Sequence, residues 1–158
     1  MRAADERFWI GAGWGLVATL IMSAVMLLIW LTGTSTMREP IPLSLAAHFL
    51  GRALHMRDVT PGLVVFATIV HFGYGALWSG LLAASTPRVT WWKGMIVGLG
   101  LWVIMLVFFL PMAGADVFKV ATSGLAWIWS LLVHLVYGIG VGVLAGRHEP
   151  ELVDEPIV

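Results

Sequence analysis

The sequence predicts an all-α integral membrane protein. Four transmembrane helices form two repeated helical hairpins, with an amphipathic interfacial helix in the first long loop. Three observations lead there. Of 158 residues, 59% are hydrophobic and 11% charged, with a mean hydropathy of +0.92; a soluble domain carries about 25% charged residues. That deficit leaves too little polar surface to face water, so much of the outside faces lipid. Four stretches are also long and apolar enough to cross a hydrocarbon layer roughly 30 Å thick at 1.5 Å per residue. Finally, the apolar segments resemble one another in pairs.

Each element follows from its own residues. The first span, Phe8 to Leu31, contains no charge. It is too long for a signal-peptide core and no small-residue cleavage site follows, so it is expected to stay in the chain. Next comes "EPIPLSLAAHFLGRALHMRD" (Glu39–Asp58), which opens on two prolines and takes a helical period over about 42–57. Leu43, Ala47, Leu50 and Leu54 share one face; His48, Arg52 and His55 share another. Too short to span, this helix is expected to lie in the interface plane, as a plain connector or as a lid over one end of the bundle. The second span covers 61–84. The third, 94–112, is introduced by Trp91, Trp92 and Lys93, the rings and cations that an interface attracts. The connection Pro111–Gly124 carries Asp116 and Lys119 as solvated loop charges. The last span covers 123–146 and stops at Arg147. Residues 1–147 therefore form one domain, followed by a polar tail over 148–158.

Four crossings put both termini on one side with the 85–93 loop. Arg2, Arg7, Arg88, Lys93 and Arg147 lie there, against Arg38, Arg52, Arg57 and Lys119 opposite. This small excess favours cytoplasmic termini. Nine Lys+Arg balance nine Asp+Glu, so no basic patch for nucleic acid exists. Without cysteine there is no disulfide, thiolate metal site or thiol nucleophile.

The pairing of segments is specific. Gly11-x-x-x-Gly15 matches Gly94-x-x-x-Gly98, and Ile21-Met22 matches Ile104-Met105. His71, Tyr74, Gly75, Ser79 and Ala83 match His134, Tyr137, Gly138, Gly142 and Gly146. A hairpin used twice in the same orientation is a parallel repeat. The four-residue spacing makes a flat stripe of small residues, the kind of surface on which membrane helices pack closely. Each histidine lies one step further along its stripe, so both are expected to face protein.

The stretches "TLIMSAVM", "PLSLAAHFLG", "HFGYG", "VIMLVFFLPMAGADVF" and "HLVYGIGVGVLAG" resemble a family of small prokaryotic inner-membrane proteins of unknown function. More distantly the chain is similar to YagU-type membrane proteins. The resemblance runs from about Gly11 to Gly146. It implies a four-helix, multi-pass domain of the inner membrane and gives weight to the segments His71–Gly75 and His134–Gly138. It implies no activity.

His71 and His134 fall near the middle of their spans, at matching depth on parallel helices. An ionisable residue at that depth is a functional-site hypothesis by default. Each ring is expected to be uncharged, with one nitrogen donating and one accepting. The candidate binding set is His71, His134, Tyr74, Tyr137, Gly75 and Gly138, in a binding, scaffold or accessory-subunit bundle. The plainest alternative is a structural tie from each histidine to a tyrosine, to a hydroxyl such as Thr19, Thr68 or Ser130, or to a carbonyl. A sharper one is a b-type haem with both imidazoles as axial ligands, against which stands that only Arg52, Lys119 or Arg147, at the ends of the spans, could hold its propionates. A small-solute or proton path is a third, though the spans hold no carboxylate. Zinc lacks ligands, and no nucleophile–base–orienter set appears, so a catalyst is not expected. The expected partners are the bilayer and, beyond it, a second copy or a larger membrane complex.

Overall fold

α1 runs Arg2–Leu31 and α2 runs Ile41–Ala46, continuing as a wide turn over Ala47–Gly51. α3 runs Pro61–Ser85. α4 runs Trp91–Ile104 and continues through a wide turn at Met105–Phe109 to Leu110–Met112. α5 runs Ala126–Arg147. The computed structural model describes residues 2–33, 41–51, 59–112 and 126–148. Arg52, His55, Asp116, Lys119, the start of the fourth expected span and nearly all of the expected tail lie outside the described residues.

Among the described residues four helices are long and apolar enough to span a membrane, and there is no strand. Large apolar side chains such as Leu20, Leu28, Ile69 and Val107 are exposed, as lipid-facing residues are. The protein is a multi-pass membrane protein. Its helix ends follow from local chemistry. α1 stops at Gly33, whose φ of 69° is left-handed and whose N–H donates to the Trp30 carbonyl at 3.1 Å. α3 starts with Thr60 as cap, its side chain accepting from the Leu63 N–H at 3.3 Å, and Pro61 in the first turn.

The last carbonyls of α3 find an unexpected partner. Arg7, one of the cations used above to orient the chain, is 8% exposed. Its Nε–H donates to the Ala83 carbonyl at 3.0 Å, and its second branch reaches the Thr86 carbonyl. A cation at a helix C-terminus meets the negative end of the dipole as well as the orphan carbonyls. Arg7 thus fastens the start of α1 to the end of α3.

Packing is uneven along the membrane normal. α1 lies against both α3 and α5, and α4 lies against α5, whereas α3 hardly touches α4 or α5. The half of the bundle that carries the termini is closed by small residues. A Cβ at Gly11 would meet Ala83 and the Ser79 backbone, and one at Gly15 would meet Ser79. The Ser79 hydroxyl donates to the Gly11 carbonyl at 2.6 Å. In the other hairpin, a Cβ at Gly94 would run into the Gly138 carbonyl and sit 2.7 Å from the Gly142 nitrogen. One at Gly98 would run into the His134 carbonyl. Gly142 and Gly146 admit the backbone of Thr90, Trp91 and Val89, so α5 also seats the α3–α4 loop. Both hairpins close on glycine, but not in equal register. Gly11 faces the stripe at Ser79 and Ala83, while Gly94 faces Gly138 and Gly142, one turn further along.

Small residues at these contacts are required by the space and not merely common. Gly94→Ala and Gly98→Ala should each cost about 2 kcal/mol or more, because backbones rather than flexible side chains would have to move. Gly13 and Gly100 have nothing within 4 Å of an added Cβ, so Gly13→Ala and Gly100→Ala should be neutral or gain up to about 1 kcal/mol. Reversible unfolding in mixed micelles measures both pairs. Equal effects at all four sites would contradict the packing described.

Candidate functional site

Between α3 on one side and α4 and α5 on the other, a cavity of about 350 Å³ opens in the half of the bundle away from the termini. All five of the described helices line it. α1 contributes Thr19, Met22 and Met26, spaced so that they share one face. α3 contributes Ala67, His71, Tyr74 and Gly75 among others; α4 contributes Leu101, Met105 and Phe109; α5 contributes Val133, His134 and Tyr137. α2 closes the outer end with Pro42, Leu45, Ala46 and Phe49. Its Ala46 packs with Leu63 and Ala67 of α3, supported by Leu43 and Leu50. The amphipathic segment therefore folds onto the bundle with its apolar side toward the cavity.

The inner end is sealed by three residues. Gly75 leaves room for Thr19, since a Cβ there would collide with the Thr19 hydroxyl and lie 3.4 Å from the Tyr137 ring. Thr19 and Tyr137 are 1% and 2% exposed. The Tyr137 hydroxyl donates to the Gly75 carbonyl at 2.6 Å, crossing from α5 to α3. Thr19 turns its own hydroxyl back to the Gly15 carbonyl at 2.8 Å.

The wide turn in α4 has an identifiable cause. Pro111 has no N–H, and its ring clashes with the carbonyl four residues back in ordinary helical register. The Leu110 N–H reaches five residues back to the Met105 carbonyl instead. Such turns recur at functional sites. Here both end residues, Met105 and Phe109, line the cavity, and Phe109 meets the Tyr74 ring edge-on at 5.9 Å.

Polar groups are few and differ in their satisfaction. His71 Nε2 lies 3.2 Å from the Ser23 hydroxyl of α1. His134 Nδ1–H donates to the Ser130 carbonyl of its own helix at 2.7 Å. A carbonyl only accepts, so in the uncharged ring this nitrogen holds the proton and Nε2 carries the lone pair. The Tyr74 hydroxyl is buried without a hydrogen-bond partner among the described residues. Of the six residues singled out from sequence, His71, His134, Tyr74, Tyr137 and Gly75 line this one cavity. Gly138 does not; it packs against the Gly94 carbonyl and Gly98. Neither tyrosine bonds a histidine. Thr68 bonds its own helix at Val64, and Ser130 takes part through its carbonyl.

Sequence reasoning missed Ser23, the methionines and the α2 residues as parts of the site. Pro111, six residues after Met105, was the available signal for the α4 turn. Trp78 and Trp102, two deep tryptophans, are not among the lining residues. The Trp102 Nε1–H donates to the Ser130 hydroxyl at 3.1 Å. Arg147 is exposed at the far end of α5. Among the described residues no group of three or more His, Cys, Asp or Glu could hold a metal ion.

Fold and site together define a four-helix membrane protein with an intramembrane cavity. The chain belongs to a family of unknown function, DUF6789, which matches residues 6–152. No curated protein and no solved structure matches it.

Tyr137→Phe deletes the hydroxyl that ties α5 to the Gly75 carbonyl of α3 across the cavity floor. The expected loss is about 0.6 kcal/mol, with about 1.7 as a ceiling for such bonds between membrane helices. Thermal unfolding in detergent measures it, and a variant as stable as the parent would show that the bond contributes nothing.

Proposed function

We propose that the protein is an intramembrane binding protein whose cavity holds a small, mostly apolar molecule, with His71 and His134 as a joint polar recognition site. The observation that carries the reading is that both histidines line one cavity. Ligand sites are typically concave, apolar and about 300–1,000 Å³, with a few placed polar groups; this cavity matches that description at the small end. The cover formed by α2 supports a lid role for that helix over a simple connector. We further place the chain in the inner membrane with cytoplasmic termini, as the resemblance and the slight excess of Arg and Lys suggest. It acts there alone, as a homo-oligomer or as an accessory subunit. Gly11, Gly15, Gly94 and Gly98 are already used within the chain, so contacts between chains would use other faces.

A haem bound by both imidazoles is the second reading, favoured by the same shared cavity. It requires His71 to release Ser23 if iron binds at Nε2.

Native mass spectrometry of protein released from lipid nanodiscs tests the joint site. The expected result is a retained small-molecule adduct that is lost in His71→Ala and in His134→Ala, with the double variant losing no more than either. Independent, additive losses would leave two separate structural ties. Absence of any adduct on the parent protein would count against a resident ligand. A Soret band that disappears in both single variants would select haem.

A further inference from the structure

Both cavity histidines are held in the way that metal-bound histidines are. Such a ring usually donates its second N–H to an oxygen, which fixes the tautomer and leaves the other nitrogen for the ion. His134 does so: Nδ1–H donates to the Ser130 carbonyl at 2.7 Å, and Nε2 keeps the lone pair. His71 Nε2 lies 3.2 Å from the Ser23 hydroxyl. That oxygen can accept from Nε2–H, which leaves the lone pair on His71 Nδ1.

Helix register sets two sulfurs at the depth of these rings. Thr19, Gly75 and Tyr137 meet at the floor and fix the starting level. Counted from there, His71 is about 6 Å out along α3 and His134 about 4.5 Å out along α5. Side chains lean toward the N-terminus of their own helix, so these rings reach further outward. α1 and α4 run the opposite way, so their side chains lean back toward the floor. Met26 stands about 10 Å out along α1, just past Ser23, which already touches His71. Met105 follows Trp102 on α4, whose Nε1–H donates at 3.1 Å to the hydroxyl of Ser130, the residue that holds His134. All four of His71, His134, Met26 and Met105 line the cavity. Met22 lies nearer the floor and is packed in an apolar cluster with Val133 and Tyr137.

The donors select the ion. All four are neutral, no lining residue is charged, and the spans hold no carboxylate. The cost of taking an ion out of water grows with the square of its charge, so a neutral donor set inside a bilayer suits a monovalent cation over a divalent one. Thioether sulfur is a soft ligand that selects copper(I), and imidazole suits copper as well. On the joint-histidine part of the reading above, we infer that the cavity holds one copper(I) ion, with His71 Nδ1, His134 Nε2 and the sulfurs of Met26 and Met105 as ligands.

Anaerobic titration of the detergent-solubilised full chain with copper(I), in competition with the chromophoric chelator bathocuproine disulfonate, reads the affinity. The expected result is one ion per chain that zinc(II) does not displace. His71→Ala and His134→Ala should each weaken binding about a hundredfold, and Met26→Leu, Met105→Leu and Ser23→Ala each about tenfold. Met112→Leu, at an exposed position outside the cavity, should change nothing. X-ray absorption at the copper edge needs no variant to fold and should show both nitrogen and sulfur neighbours on the unaltered protein. A coordination shell without sulfur, or zinc(II) bound as tightly as copper(I), would overturn the inference. So would copper(I) binding that both histidine variants retain. An organic adduct in the mass spectrum of a parent protein that binds no copper(I) would sink the inference and leave the apolar-ligand reading intact.

Discussion

The close approach of backbones at glycine is the constraint on which the rest of this structure depends. In lipid, helices gain nothing by hiding apolar surface from their surroundings, so they associate where small residues allow extensive contact. Those residues are concentrated toward the termini: Gly11 and Gly15 on α1, Gly94 and Gly98 on α4, and the stripes on α3 and α5. Arg7 reinforces the same end by holding the α3 carbonyls. The other half carries His, Tyr, Met and Phe at the corresponding faces, which are too large for comparable approach. The cavity lies in that half, between α3 and the pair α4 and α5.

Polar groups in that space are constrained by the lack of water. Tyr137 and Thr19 are satisfied by carbonyls and serve the floor. His71 is held by Ser23. His134 gives its proton to its own helix, while Tyr74 gives its own to nothing among the described residues. The site thus combines a rigid, satisfied base with a small number of open hydrogen-bonding positions. That division separates residues that hold the cavity from residues able to recognise what enters it.

Much of this was legible in the sequence, for physical reasons. Charge content and run length decide membrane spans, because the bilayer tolerates few alternatives. The helices extend only a few residues past the expected limits on the terminal side, where Arg7 and Trp91 start or join them. His71, Tyr74, Gly75, His134 and Tyr137, marked in the sequence by their matched spacing, all line one cavity. Gly138 separated from them because a stripe of glycines says which face packs and not which glycine meets which backbone. The one-turn difference in register between the hairpins has the same origin. Side-chain partners were less legible: Ser23 lies 48 residues from His71, and nothing in its local pattern marks the pairing. The α2 lid depends on how the apolar face of a short helix docks, which hydrophobic period alone leaves open.

The central claim is that glycine packing at one end leaves a single cavity shared by both histidines at the other. Magic-angle-spinning NMR of histidine-labelled protein in bilayers, compared with a Met105→Trp variant, tests it most directly. Met105 lies on α4, which carries neither histidine, so any effect of the larger side chain must cross the cavity. The ring signals of His71 and His134 should both shift, while His148, stacked on Trp14 at the glycine-packed end with centroids 4.2 Å apart, should stay in place. A shift confined to one of the two cavity histidines, or to neither, would contradict the shared cavity.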